Sequence, residues 1–367
     1  MEREYRRSPL LRSSTHRPDA LEAMVPSPRD DALSVPSRTV EHARTFVSWP
    51  CRTDLWNGQL ARAEEEYAGA VEAIARFEPV TVIARPGTTP RLPAETTHDV
   101  DVLEIPIDDS WVRDNGPIFV VDGHGGVAAV GFEFNAWGGK FAPFADDARL
   151  PARLAQQLAM RIYQAPLVAE GGGLTFDGEG TVITTESVLL NPNRNPGITR
   201  ECVEEVLNVY LGIEKVIWLR DGLAEDRDTD GHSDNITQFV RPGVVLTQMA
   251  PDRSNPNWDR LRDNRARLEG ATDAAGRKLD VVEMPVLPYA EVEGERFVVP
   301  YTNYYPVNGG IVAPLLDQPD DEAGFALLRE LFPDREVVGV PSNLLAYGGG
   351  GIGCITQQLP AGAAIAP

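Results

Sequence analysis

Five stretches of the chain carry apolar residues at three- and four-residue intervals, the spacing that buries one face of a helix. They are QLARAEEEYAGAVEAIARF (59–77), RLPARLAQQLAMRIY (149–163), ITRECVEEVLNVYLG (198–212), NWDRLRDNRARLEG (257–270) and DEAGFALLRELF (321–332). Each is followed by a short strand-like run: VTVIAR, APLVAE, KVIWLR, VVEMPV and EVVGVP in turn. Most of these runs lead on to a hairpin with glycine at its tip. The hairpins read PIFVVDGHGGVAAV, LTFDGEGTVITT, TQFVRPGVVLTQ and VVPYTNYYPVNGGIVAP. One unit of helix, strand and hairpin is thus predicted about five times over.

Units of this size cannot close a core alone, so they must pack around a common centre or stack in a line. TFVSWP (45–50), ahead of the first helix, supplies the strand that the Cys354 end lacks, and joining the two ends would close a ring. An open doubly wound sheet is the competing arrangement, but the hairpins argue for mixed and antiparallel pairing. The expected class is α/β, in a single domain over 41–367. Residues 1–40 are rich in Arg, Ser and Pro and lack an apolar signal core, so they read as a flexible leader.

Composition narrows the partners. The 367 residues are 42% hydrophobic and 24% charged, the profile of an ordinary soluble globular protein. No run approaches the apolar length that spans a bilayer, so no membrane partner is expected. A formal net charge of −21 repels phosphate backbones, which argues against nucleic acid. The same charge attracts cations and would steer a small positively charged substrate, with solubility as its plainer use. Cys51, Cys202 and Cys354 are widely spaced and odd in number, which fits free thiols in a reducing compartment, read here as the cytoplasm.

The polar residues that stand out fall at similar points of successive units, between the strand and the hairpin. They are Asp114 in DDSWVRDNGP, Glu170 in AEGGG, His232 and Asp234 in GHSDN, and Cys354 in GGGGIGC. Around a closed ring such positions would share one pocket. A thiol held as thiolate is a nucleophile, and a histidine can protonate a leaving group and then activate water. Two facing carboxylates match the planar guanidinium fork, and a third could orient the imidazole. This set suits attack on the central carbon of a guanidino group better than peptide cleavage, which needs an oxyanion hole and fewer acids.

Each position has a plainer reading. Asp114 with Arg113 could be a structural ion pair, Glu170 a turn cap, His232 a core or surface residue, and Trp111 core packing. DRDTDGHSDNIT (226–237) begins like a calcium loop, but its twelfth position is Thr237 where a bidentate Glu is required. No four-ligand zinc spacing and no phosphate-cradling loop is present, so no metal is expected.

TFVSWPCRTDLW, DDSWVRDNGPIFV, the EGGG followed by DGEG, GHSDNITQFVRPG and GGGGIGCITQQLP together resemble the agmatine deiminase family of the guanidino-modifying, peptidyl-arginine deiminase superfamily. The likeness runs in order from about residue 43 to 360. It implies a five-bladed α/β propeller of pseudo-symmetric ββαβ repeats. It implies hydrolysis of agmatine to N-carbamoylputrescine and ammonia with no cofactor, the substrate being a small guanidino cation. By position, Cys354 resembles the nucleophile, His232 the general acid/base and Glu170 the acid that orients it. Asp114 and Asp234 resemble the guanidinium clamp, and Trp111 the pocket wall. Relatives are often dimers or larger, so a homo-oligomer is expected. Gly351 and Gly353 depart from the family's usual GGGNIHC, and GGLTF replaces a small polar residue and a histidine after the EGG. Free or peptidyl arginine, or a weakened guanidino-binding protein, are the alternatives that these departures leave open.

Overall fold

A computed structural model describes residues 27–367. Alternation in the sequence becomes, five times, the same small assembly. An antiparallel hairpin leads through a helix into a third strand that lies parallel to the hairpin's second. One unit runs Ile118–Val121, Gly126–Glu133, helix Leu150–Gln157, Ile162–Val168. The next runs Thr175–Phe176, Thr181–Thr185, helix Arg200–Leu211, Lys215–Leu219. A third runs Thr237–Arg241, Val244–Gln248, helix Trp258–Gly270, Asp280–Met284. A fourth runs Tyr305–Val307, Gly310–Leu315, helix Pro319–Leu331, Glu336–Pro341.

The remaining unit joins distant parts of the chain. Thr356–Pro360 pairs antiparallel with His42–Ser48, which runs through helix Leu60–Ala75 into Val80–Ala84. Val100–Glu104 adds a fourth strand to that sheet. The molecule is therefore a mixed α/β fold of several small sheets. No helix among the described residues is long and apolar enough to cross a membrane.

Helix ends follow local chemistry. Thr199 Oγ1 accepts from Cys202 N at 3.3 Å to start one helix, and Gly212, with φ of 69°, ends it. The helix predicted for 149–163 stops at Gln157. Ala159 takes a left-handed φ of 47°, and Ile162 already belongs to a buried strand. The long hairpin read from VVPYTNYYPVNGGIVAP is shorter than expected. Glu295–Val298 pairs instead with Tyr289–Val292, and only Tyr305–Val307 faces Gly310–Leu315.

The leader expected over 1–40 is ordered in its second part. Residues 1–26 lie outside the described residues. From 27 onward the chain packs on the body: Leu33 and Val35 are buried, and Ser34 bridges Val121 with bonds of 3.0 and 2.8 Å. Two apolar side chains and a strand edge outweigh the Ser/Pro-rich composition.

The apolar core is distributed between units. Phe46 and Ile83 pack with Leu150 and Leu154 of the next helix, and Val120 and Val130 with Val203 and Leu207 of the one after. Ile183 and Ile217 meet Leu261 and Leu268, and Leu246 and Met284 meet Phe325 and Leu328. Finally Val312 and Val340 pack with Tyr67, Val71 and Ile74 of the first helix. Each unit is sealed by its neighbour's helix, so the removal of any one would uncover two apolar faces.

Candidate active site

In every unit the first hairpin strand is preceded by a short turn, and the candidate side chains sit on those turns. Val112–Asn115 carries Asp114, and Glu170 precedes Gly171–Gly173. His232 precedes Ser233–Asn235, which holds Asp234. Tyr301–Asn303 and the Gly351–Cys354 segment complete the set. The structure brings Asp114, Glu170, His232, Asp234, Cys354 and Trp111 together, all buried.

His232 is held from both sides. Its Nε2 lies 3.4 Å from Glu170 Oε2, and its Nδ1 stands 3.7 Å from Asp114 Oδ1, too far for a hydrogen bond. Nδ1 thus has no hydrogen-bond partner. Burial disfavours the imidazolium, but Asp114, Glu170 and Asp234 outweigh it and hold the ring at about 9. The ring is charged at neutral pH. Glu170 is no turn cap: its Oε1 accepts from Arg194 Nε at 2.9 Å. Burial pushes its carboxyl up, yet the His232 and Arg194 bonds keep it below the ordinary range.

Asp114 accepts from Gly172 N and from Trp137 Nε1, both at 3.0 Å. It is not paired with Arg113, whose Nη2 donates to Gln358 at 2.8 Å and whose Nε donates to the Gly353 carbonyl at 3.3 Å. Asp234 is different in kind. It is 1% exposed, and neither carboxylate oxygen has a partner. Burial pushes its carboxyl up to about 6, against the pull of His232.

The Cys354 thiol is driven well above its ordinary range, first by burial and then by Asp234 and Asp114. All three cysteines are free thiols, and Cys354 is the buried one. A narrow cleft reaches Cys354 between Trp111, Trp137, Asp114, Asp228 and Gly349. Beside it a larger cavity of about 480 Å³ opens past Asp228 and the glycine run. Trp111 serves as both wall and core, with Trp56 at 6.3 Å.

Two glycines are dictated by close approach. A Cβ on Gly172 would stand 2.5 Å from His232 Nδ1 and 2.7 Å from Asp114 Oδ1. One on Gly350 would stand 2.4 Å from the Trp111 ring. The DRDTDG stretch spends two of its three acids internally, and Asp228 faces the cleft. Asp226 accepts from the backbone of Thr229 and His232 at 3.1 Å each, while Asp230 pairs with Lys140 at 2.7 Å and with Arg194.

Sequence reasoning missed Arg194, Trp137, Asp228 and Asn303. For Trp137 a signal existed. Ala136 and Trp137 take left-handed φ of 56° and 52° ahead of two glycines, a strained turn that aims the indole at Asp114. Asn303 lay open to the repeat argument, being on the corresponding turn of the fourth unit. Arg194, in NPNRNPG, had no local mark.

An agmatine deiminase of Stutzerimonas stutzeri is 41% identical over 361 residues, covering 91% of this chain and 97% of the relative. One of Pseudomonas putida is 41% identical over 359 residues, with the same coverage. The solved agmatine deiminase of Enterococcus faecalis superposes with a TM-score of 0.86 at 31% identity, covering 92% of this chain and 98% of that one. The sequence profile of the Porphyromonas-type peptidyl-arginine deiminases matches residues 34–360, and the chain belongs to that family.

Proposed function

We propose that this chain hydrolyses the guanidino group of agmatine to N-carbamoylputrescine and ammonia through a covalent intermediate on Cys354. The observation that carries the reading is Asp234: a buried carboxylate without a partner, beside a buried thiol, awaits a cation. Asp114 and Asp234 supply two acceptors for the guanidinium fork. A cation between them offsets the two charges that oppose ionisation of Cys354, so substrate entry favours the thiolate and a proton leaves to solvent. The sulfur then adds to the central carbon. His232 gives the proton on its unpartnered Nδ1 to one terminal nitrogen, the C–N bond breaks, and ammonia departs. Water next gives a proton to His232 and its oxygen to the same carbon. The C–S bond breaks, the second water proton passes from oxygen to the departing sulfur to restore the thiol, and the ureido product remains. Glu170, anchored by Arg194, fixes the ring through Nε2.

The five units are read as blades of a propeller with this site at the centre, since their apolar clusters link each to the next and the last to the first. The free thiols support a cytoplasmic setting. The acidic chain is read as acting without nucleic acid, and as a homo-oligomer. A panel of agmatine, free arginine and an arginyl peptide tests the substrate by ammonia release and ureido product. Turnover of agmatine, absent in Cys354→Ala, is expected; turnover of arginine with agmatine inert would overturn the assignment.

A further inference from the structure

Four of the five turns carry residues with a role above. The fifth, Tyr301–Asn303, brings Asn303 to the same place, 1% exposed and against the sulfur. We propose that the Asn303 carboxamide is a catalytic residue of this site: it seats the Cys354 sulfur and donates a hydrogen bond to it when it is a thiolate. The inference rests on the reading of Cys354 as nucleophile.

The amide orientation follows from chemistry. Gly353 N–H can only donate, and it meets Asn303 Oδ1 at 2.8 Å. Nδ2 is therefore the donor, and it faces both Asn235 Oδ1 at 3.0 Å and Cys354 Sγ at 3.5 Å. The sulfur also stands 3.7 Å from Oδ1. A thiol can give its hydrogen to Oδ1, and a thiolate can accept from Nδ2, so one rigid group serves both protonation states.

The same carboxamide ties the sulfur's turn to that of the imidazole. Asn235 lies directly after Asp234, and its Nδ2 donates to Asp226 Oδ2 at 3.2 Å. That same oxygen accepts from His232 N at 3.1 Å. Thr302 Oγ1 adds a bond to the Asn235 carbonyl at 2.9 Å. The spacing between sulfur and imidazole is thus set by hydrogen bonds running through Asn303.

Side-chain-free backbone makes room for it. A Cβ on Gly351 would stand 2.6 Å from Asn303 Oδ1, and one on Gly353 would stand 2.9 Å away. The two glycines that depart from the family pattern are those on which the carboxamide rests. Burial, Asp234 and Asp114 oppose the thiolate, and the Asn303 bond acts in the other direction.

The test is the pH dependence of Cys354 alkylation by iodoacetamide, mapped by mass spectrometry in the intact chain. It is run for the wild type, Asn303→Ala and Asn303→Leu, with melting temperatures alongside. Asn303→Leu keeps the side chain's size and adds no charge beside the sulfur but lacks the donor, so a purely structural role would lower its melting temperature and leave its alkylation profile unmoved. Both variants are expected to raise the midpoint by about one pH unit or more. They should also lower kcat/KM at least tenfold. Should Asn303→Ala not fold, Asn303→Leu decides. Wild-type midpoints in a folded variant would overturn the role of Asn303 alone. Failure of agmatine to protect Cys354 in the wild type would overturn the nucleophile reading, and this inference with it.

Discussion

Asp234→Asn separates catalytic from structural use of a buried carboxylate by moving activity and stability in opposite directions. The wild-type side chain is buried and lacks a partner on either oxygen, and its carboxyl sits at about 6 instead of the ordinary 3.8. Keeping it ionised at pH 7 therefore costs the folded state about 3 kcal/mol. Asparagine stands in for the neutral acid, which is buried in the same way, so the substitution removes that cost. The expected result is a melting temperature several degrees higher at pH 7. The sign with pH is fixed. The penalty is absent below the unfolded value near 3.8, grows as pH rises, and is complete above about 6. The gain from Asp234→Asn should fade as scanning calorimetry moves from pH 7 to pH 4. Meanwhile the bound guanidinium loses one of two acceptors, a loss of about 3 to 5 kcal/mol for a broken buried pair. kcat/KM should fall between about a hundredfold and a few thousandfold. A variant that melts lower than wild type at pH 7, or keeps its kcat/KM, would refute the reasoning.

Three further outcomes follow from the same geometry. Glu170→Gln removes one of the charges that hold His232 at about 9, so the alkaline limb of the kcat profile should move to lower pH, checked by steady-state rates from pH 6 to 10. Trp137→Phe deletes the indole donor to Asp114 and should raise the KM for agmatine about tenfold with a smaller change in kcat, read from initial rates. Gly172→Ala places a methyl group 2.5 Å from His232 Nδ1, and ammonia release should drop by at least a hundredfold with the fold retained by circular dichroism.

Regular spacing made the helices and strands readable before any coordinates. The overshoot at 149–163 arose because AMRIY is apolar enough to continue a helix, while a left-handed Ala159 redirects it into a strand. Polar residues in glycine-rich turns, such as Glu170 and Cys354, stood out because glycine there packs nothing of its own. Arg194 did not, because its meaning lies in Glu170 and Asp230, distant in sequence and adjacent only after folding. Asn303 sits in YTNYYP, an aromatic stretch that reads as core, and its Tyr301 and Tyr304 are core. Its place on the fourth unit's turn was the one mark it carried, and the meeting with sulfur appears only after folding.

The pairing of His42–Ser48 with Thr356–Pro360 bears on how the protein is made. A ribosome releases the amino-side strand early, and it must wait for residue 360 to find its mate. Nascent chains therefore carry an unfinished edge until that point, and a stalled product ending before Cys354 lacks both that mate and the Cys354 sulfur. In a permutant of the described residues, with 367 linked to 27 and the chain opened at the exposed Gly123–Gly125 bend, that pairing becomes local and refolding should be faster.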